Sequence, residues 1–300
     1  MEHFTMLGIV FFLIIIPSLG FATDDEHAGR GCLPEGDKDL LEFPLNLEYL
    51  EAEFFLWGAF GYGLDKQAPN LTGGGPAPIG VKEAKLSPLV KDVIGQFGLQ
   101  EVGHVRAIKE TVPGFPRPLL NLSAETFATV INDAFGKPLE PTFNPYANDI
   151  NYVLARYVGA NPKLVSYIAK RLVAGLLGVE AGQDAVLRTL LYERKDEEVA
   201  PYGITVAEFT DRISDLRNKL GKAGVKDEGL VVEPSQGPEG ISSGNILAGD
   251  ANSLAYDRTP EEILRIVYGT GKENKPGGFY PKGADGKIAK SYLANTSSSD

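Results

Sequence analysis

The sequence predicts an all-α fold built around a four-helix bundle. Two segments place polar side chains within apolar stripes of helical spacing, and a long proline-rich connection separates the second predicted helix from the third. The two stripes consist of Val90, Ile94, Phe97, Glu101, His104 and Ile108, and of Val173, Leu176, Glu180, Gln183, Leu187 and Leu190. Residues three and four apart share one helix face, so both polar pairs should face a hydrophobic interior.

The composition is that of a globular protein, and the charge limits the classes of partner that the chain could bind. Of its 300 residues, 43% are apolar and 23% charged, and the net charge is −11. No basic stripe suited to nucleic acid or an anionic membrane is present. Cys32 is the single cysteine, which excludes an internal disulfide. The sequence therefore favours a cation or a neutral surface as partner.

Residues 1–22 have the pattern of a secretory signal peptide. An apolar run over residues 6–16 precedes Pro17 and small residues, and it is too short for a membrane span. Its removal takes away only Glu2, which changes the net charge from −11 to −10. We expect a secreted, extracellular protein; the alternative is a buried N-terminal helix. Sequons at Asn70, Asn121 and Asn295 fit glycosylation in loops or tails.

The bundle is predicted over residues 39–196, after an unstructured lead-in over residues 23–38. The predicted bundle helices run over about 42–62, from Pro88 to a point before Pro113, over about 146–158, and from about 161 to 194. Ser123 caps a further short helix over about 124–135, inside the long connection. Such a crossover is expected in bundles whose second and third helices run parallel.

The remaining part of the chain, residues 201–293, is predicted to be an extension of short helices and loops packed on the bundle. Capping boxes at Thr205-Val206-Ala207-Glu208 and Thr259-Pro260-Glu261-Glu262 each open a helix. The glycine-rich stretches between them read as turns, because no phosphate-binding or dinucleotide-binding motif is present.

The polar positions suggest a metal site inside the bundle. Bundles that hold two iron or manganese ions use a single Glu from each of two helices and an E-x-x-H pair from each of the others. The candidate ligands here are Glu48 on the first helix, Glu101 and His104 on the second, and Glu180 and Gln183 on the fourth.

Metal-free interpretations exist for the same residues. Glu101 and His104 could satisfy each other as a buried carboxylate–imidazole pair, and Glu180 with Gln183 could form a hydrogen-bonded polar layer. Glu51 and Glu53 are expected to be solvated or paired at the rim. The identity of any ion stays open, with iron and manganese as the candidates.

Several stretches resemble known proteins. Residues 45–55 and 100–104 look like the first two helices of ferritin-like proteins. Residues 170–180, 245–250 and 258–269 closely resemble the plant desiccation-related proteins, and the similarity runs from about Asp39 to Leu293. This resemblance implies a ferritin-like bundle, a signal peptide, accumulation under water stress in the apoplast or cell wall, and no established enzymatic activity for the class.

The chain departs from that resemblance at two places. Gln183 stands where many bacterial ferritin-like relatives have histidine, and an amide oxygen is a weaker ligand for iron. The third helix lacks about three turns near residues 156–159, at about 3.6 residues per turn, and offers only Asp149 as an acid. One ion, or none, is therefore expected instead of two.

Three functions fit the sequence. The favoured one is a secreted stress protein that serves as a protective or binding scaffold without catalysis, although enzymatic activity is left open. The second is a metal-dependent oxidoreductase or metal scavenger that uses the candidate ligands. The third is a binder of cell-wall polysaccharide through exposed tyrosines of the C-terminal half.

Overall fold

The structure is a computed structural model that describes residues 33–156, 167–250 and 252–294. The predicted signal peptide, Cys32 and Asn295 lie outside these residues. The helices are α1 (Glu35–Glu42), α2 (Leu45–Phe60), α3 (Leu64–Gln67), α4 (Pro88–Thr111), α5 (Ala124–Phe135), α6 (Asp149–Arg156), α7 (Tyr167–Tyr192), α8 (Val206–Gly221), α9 (Pro260–Val267) and α10 (Lys287–Ala294). Helices α2, α4, α6 and α7 form the bundle, with the long connection between α4 and α6, so the predicted all-α fold class is confirmed.

Helix α2 is the central rod of the bundle. Apolar residues lie on all of its sides, and nearly the whole helix is buried, as a helix surrounded by other elements requires. Helix α4 packs tightly against it, because Gly98 leaves room for the backbone at Leu56 and Gly95 leaves room for the ring of Phe60. The ring of Phe55 meets that of Phe97 edge-on, with the centroids 6.0 Å apart.

Most predicted helix positions agree with the structure. Ser123 caps α5 by accepting a hydrogen bond from the Thr126 amide, and α4 begins at Pro88 as predicted. The lead-in is partly wrong, because α1 already begins at Glu35. The first predicted helix also starts too early, since Pro44 has no amide hydrogen to continue α1 and a new helix begins at Leu45.

The described parts of the bundle helices differ in length. At about 1.5 Å per residue, α4 spans about 36 Å and the described part of α6 spans about 12 Å. Helix α6 begins at Asp149, three residues later than predicted, and its described part ends at Arg156. The predicted start of the fourth helix at residue 161 lies outside the described residues.

The C-terminal part packs on the bundle through α8 and through a loop near the start of α2. Both predicted helices of this part form, and Thr259 and Glu262 make the reciprocal bonds of a capping box. Asn46, which is buried on α2, exchanges hydrogen bonds with the backbone of Asp285 at 2.9 and 2.8 Å. The Tyr280 hydroxyl donates to the Asn46 carbonyl at 2.8 Å. The extension therefore ties down the first turn of the central helix.

A buried ion pair anchors the beginning of the long connection. Arg117 and Glu53 are both fully enclosed and form a salt bridge, and Arg117 also pairs with Asp65 at 2.9 Å. The Arg117 Nε donates to the Pro76 carbonyl at 2.8 Å. Helix α3, the loop around Pro76 and the long connection are thereby attached to one side of α2. Within the described part of the chain, no helix has the length and apolarity needed to cross a membrane.

The contact between α2 and α6 gives a stability prediction. A Cβ at Gly58 would lie 2.0 Å from the Tyr152 hydroxyl, and Tyr152 is fully buried, stacked on Phe54 with ring centroids 4.4 Å apart. Gly58→Ala should therefore destabilise the protein by about 1–3 kcal/mol, because the ring must move out of a packed core. Urea unfolding followed by circular dichroism measures the change.

Gly178→Ala is the matched control, since nothing lies within 4 Å of a Cβ at this exposed position in α7. That substitution should stabilise the protein by about 0.5–1 kcal/mol, the ordinary gain of alanine over glycine in a helix. Equal effects of the two substitutions would contradict the proposed packing of Tyr152.

Candidate metal centre

Four of the five predicted ligands meet in the interior of the bundle. Glu48 comes from α2, Glu101 and His104 from α4, and Glu180 from α7. One ligand atom from each of these four side chains lies within 4.8 Å of all the others. The E-x-x-H spacing works as predicted, because residues three apart on α4 point to one place.

The imidazole of His104 is the hub of the cluster. Its Nδ1 lies 3.0 Å from Glu101 Oε2, 3.2 Å from Glu48 Oε2 and 3.4 Å from Glu180 Oε1. A single N–H cannot donate to three carboxylates at once. The arrangement therefore gathers more negative oxygens than one imidazole hydrogen can satisfy.

Burial makes this concentration of charge costly. Glu101 is fully enclosed, and Glu48 and His104 are only 5% and 8% exposed. Burial raises the pKa of Glu48 well above its usual value, and the nearby Glu180 and Glu101 carboxylates add to the rise. At His104, burial acts to lower the pKa, but hydrogen bonds to Glu101, Glu180 and Glu48 outweigh it and raise the pKa to about 12.

Glu101 remains a carboxylate in this cluster. Burial opposes its ionisation, but hydrogen bonds from His104, Glu48 and Gln183 outweigh that effect and lower its pKa. The raised pKa values of His104 and Glu48 favour protons on these two groups, which would offset the negative charge of the neighbouring carboxylates. A divalent cation could replace those protons.

Gln183 occupies a different role from the other predicted ligands. Its Nε2 donates to Glu101 Oε1 at 2.7 Å and to Gln100 Oε1 at 3.0 Å. An amide nitrogen does not bind metal ions, so in this arrangement Gln183 orients Glu101. Its Oε1 is buried without a hydrogen-bond partner, which leaves an unused oxygen beside the cluster. Ligation by Gln183 stays a prediction.

A second charged group adjoins the cluster and was not predicted. Arg156, at the end of α6, places Nη2 2.9 Å from Glu51 Oε1 and 4.0 Å from Glu180 Oε2. Glu51 was expected to be solvated or paired at the rim; it is paired, but it is only 4% exposed. Glu53 is likewise buried and paired, with Arg117. A possible sequence signal was the position of Glu51, three residues after Glu48 on the same helix.

A cavity of about 360 Å³ reaches the candidate centre from the side of the C-terminal extension. Glu51, Arg156 and Glu180 form part of its wall on the bundle side. The facing wall carries Arg217, Lys226, Asp227, Tyr256 and Arg258. Glu180 is thus accessible to small molecules even though Glu101 is sealed in the core.

The donor set fits a transition metal ion. Carboxylate oxygens suit manganese and iron, and imidazole suits iron. The surplus of buried carboxylates over N–H donors and the unpartnered Gln183 oxygen are what a site shaped for a cation would show. The structure thus brings together four predicted ligands, and it leaves out Asp149, which accepts a hydrogen bond from the Ser87 amide at 2.8 Å.

Comparison with known proteins agrees with this architecture. A family model described as a ferritin-like domain matches residues 36–193. The chain belongs to the ferritin-like family. It is 58% identical over 289 residues to the desiccation-related protein PCC13-62 of Craterostigma plantagineum, covering 93% of this chain and 92% of the relative. The predicted resemblance to desiccation-related proteins is thereby confirmed.

A second relative of this ferritin-like protein has an enzyme's name. The chain is 56% identical over 269 residues to the ferritin-like catalase Nec2 of Nesocodon mauritianus, and the match covers 86% of each protein. No solved structure matches the chain.

The elevated pKa of His104 gives a pH prediction for the metal-free protein. The folded state holds the His104 proton up to a pKa of about 12, whereas the unfolded chain loses it near pH 6.5. The stabilisation is complete below pH 6.5 and is lost progressively as the pH rises through this interval. The free energy of unfolding should therefore fall between pH 7 and 9, by up to about 1.4 kcal/mol per pH unit.

Urea unfolding in the presence of a chelator measures this slope, and His104→Gln is the comparison. The glutamine variant should show a flatter profile, because it has no titrating ring. A wild-type slope no steeper than that of the variant would show that His104 is not held protonated in the cluster.

Proposed function

We propose that this ferritin-like protein binds a manganese or iron ion at Glu48, Glu101, His104 and Glu180 and uses it to decompose hydrogen peroxide. The observation that carries the proposal is the convergence of three carboxylates on one imidazole inside the bundle. In the reaction, one peroxide molecule is oxidised to O₂ and a second is reduced to two water molecules, so atoms and electrons balance without another reactant.

The residues around the centre support redox chemistry at an enclosed ion. The ion, when bound, would supply the electron exchange between the two peroxide molecules. Hard oxygen ligands together with one imidazole suit a metal that changes oxidation state, and the cavity beside Glu180 is large enough for peroxide and water.

The relatives support the chemistry and its setting. The name of Nec2, a ferritin-like catalase, points to peroxide as substrate, and that of PCC13-62 points to desiccation stress. Of the functions that fit the sequence, we therefore favour the metal-dependent oxidoreductase over the scaffold without catalysis.

Secretion and glycosylation belong to the same proposal. We expect residues 1–22 to be removed on export to the apoplast or cell wall. Asn70 is exposed, and Asn121 is half-buried, with its side-chain oxygen bonded to the Ser123 amide at 3.2 Å. Attachment at Asn70, Asn121 and Asn295 stays a prediction, as does contact with a cell-wall component.

Binding of cell-wall polysaccharide through tyrosines of the C-terminal half stays a prediction. It relied on exposed tyrosines of the C-terminal half, but Tyr268 and Tyr280 are buried, and Tyr202, Tyr256 and Tyr292 are half-buried. Two of these hydroxyls donate internal hydrogen bonds, Tyr280 to the Asn46 carbonyl at 2.8 Å and Tyr256 to Glu228 Oε1 at 3.1 Å.

Metal analysis and an oxygen assay test the proposal together. The purified protein is loaded anaerobically with Mn(II) or Fe(II), and the excess ion is removed. The metal content per chain is then measured by elemental mass spectrometry. Bound metal and O₂ release from hydrogen peroxide are both expected. Glu101→Gln and His104→Ala should each lower bound metal and O₂ release at least tenfold, because each removes a ligand from a set of four.

Glu110→Gln is the matched control, since it makes the same chemical change at an exposed position on α4. It should retain metal and activity. Failure of the folded wild-type protein to bind either ion would reject the metal centre and favour the scaffold. Stoichiometric metal without O₂ release would reject peroxide decomposition alone.

A further inference from the structure

We infer that the guanidinium of Arg156 occupies the place of a second metal ion, so that the centre holds one ion per chain. This inference rests on the proposed function and specifies its metal stoichiometry. Bundles of this kind can hold two ions between their four helices, but the contacts around α6 divide this centre differently.

Glu180 shows where a second ion would lie. One of its carboxylate oxygens is 3.4 Å from His104 Nδ1, and the other is 4.0 Å from Arg156 Nη2. A carboxylate that bridges two metal ions likewise offers one oxygen to each, with ions about 3.5–4 Å apart. The guanidinium therefore lies on the side of Glu180 where the second ion of a pair would bind.

Glu51 completes the surroundings of the guanidinium. It follows Glu48 by three residues on α2, so its side chain lies on the same face, and it pairs with Arg156 at 2.9 Å. The ring of Phe55 covers Arg156, with its centroid 5.4 Å from the guanidinium carbon. Arg156 thus fills space that is bounded by two carboxylates and an aromatic ring.

The third bundle helix has no ligand to offer in place of Arg156. Asp149 is the one acid in α6, and it lies about 10 Å along the helix from Arg156 and accepts from the Ser87 amide. Between Arg156 and Glu180 the sequence contains no Asp, Glu, His or Cys. A single Glu on the third helix, which a two-metal site of this type requires, is therefore missing.

The fixed positive charge of Arg156 acts against a second ion. A first divalent ion would lie among Glu48, Glu101 and Glu180 with His104 neutral, whereas Glu51 already has its counter-ion in Arg156. A second divalent ion would have to bind against the guanidinium, next to a fixed positive charge.

Metal stoichiometry and Mn(II) electron paramagnetic resonance test the inference. The wild-type protein loaded with Mn(II) should contain one ion per chain and give the spectrum of an isolated ion without exchange coupling. Arg156→Glu replaces the cation by the missing carboxylate, so this variant should contain two ions per chain and show coupling. Neither measurement depends on catalytic activity.

Two matched variants complete the design. Arg156→Lys keeps the positive charge and should retain one ion. Arg212→Glu makes the same charge change on the exposed side of α8, where Arg212 pairs with Glu208, and should also retain one ion.

Two coupled ions in the wild-type protein would overturn the inference and leave the metal centre intact. One ion in a folded Arg156→Glu variant would also overturn it. No ion in the wild-type protein would reject the proposed function and the inference with it.

Discussion

Three buried carboxylates on one helix determine how the rest of the chain is arranged. Glu48, Glu51 and Glu53 all lie on α2, which is enclosed on every side, and each needs a partner in the core. Each partner comes from a different part of the chain: His104 from α4, Arg156 from α6 and Arg117 from the long connection. The packing of the bundle and the position of the candidate centre therefore follow from the same electrostatic requirement.

The three pairs, Glu53–Arg117, Glu48–His104 and Glu51–Arg156, differ in what surrounds them. The surroundings indicate which pair only stabilises the fold and which belongs to the candidate centre. Arg117 satisfies Glu53 and also bonds to loop carbonyls, so that pair is complete and serves as an anchor. His104 faces three carboxylates, more than the hydrogen on its Nδ1 can bond at once. Arg156 has features of both pairs. It neutralises Glu51, as Arg117 neutralises Glu53, but it also lies next to Glu180 in the wall of the cavity.

The sequence predicted the parts that depend on local periodicity. Apolar stripes located α4 and α7, and capping residues located α5, α8 and α9. The polar breaks in the two stripes located Glu101, His104 and Glu180. Arg156 and the burial of Glu51 could not be predicted in this way. Whether an arginine near a helix end faces solvent or the core depends on how a short helix is placed against its neighbours, and spacing along the chain does not specify that placement.

The hydrogen bonds at Asn46 have a consequence for the limits of the autonomous folding unit. The family match ends at residue 193, yet the buried amide of Asn46 has its partners at Asp285, and its carbonyl has one at Tyr280. A fragment cut at the boundary of the match would expose these groups and uncover an apolar flank of the central rod. The part of the chain that the family model matches is thus smaller than the part whose contacts complete the buried surroundings of α2.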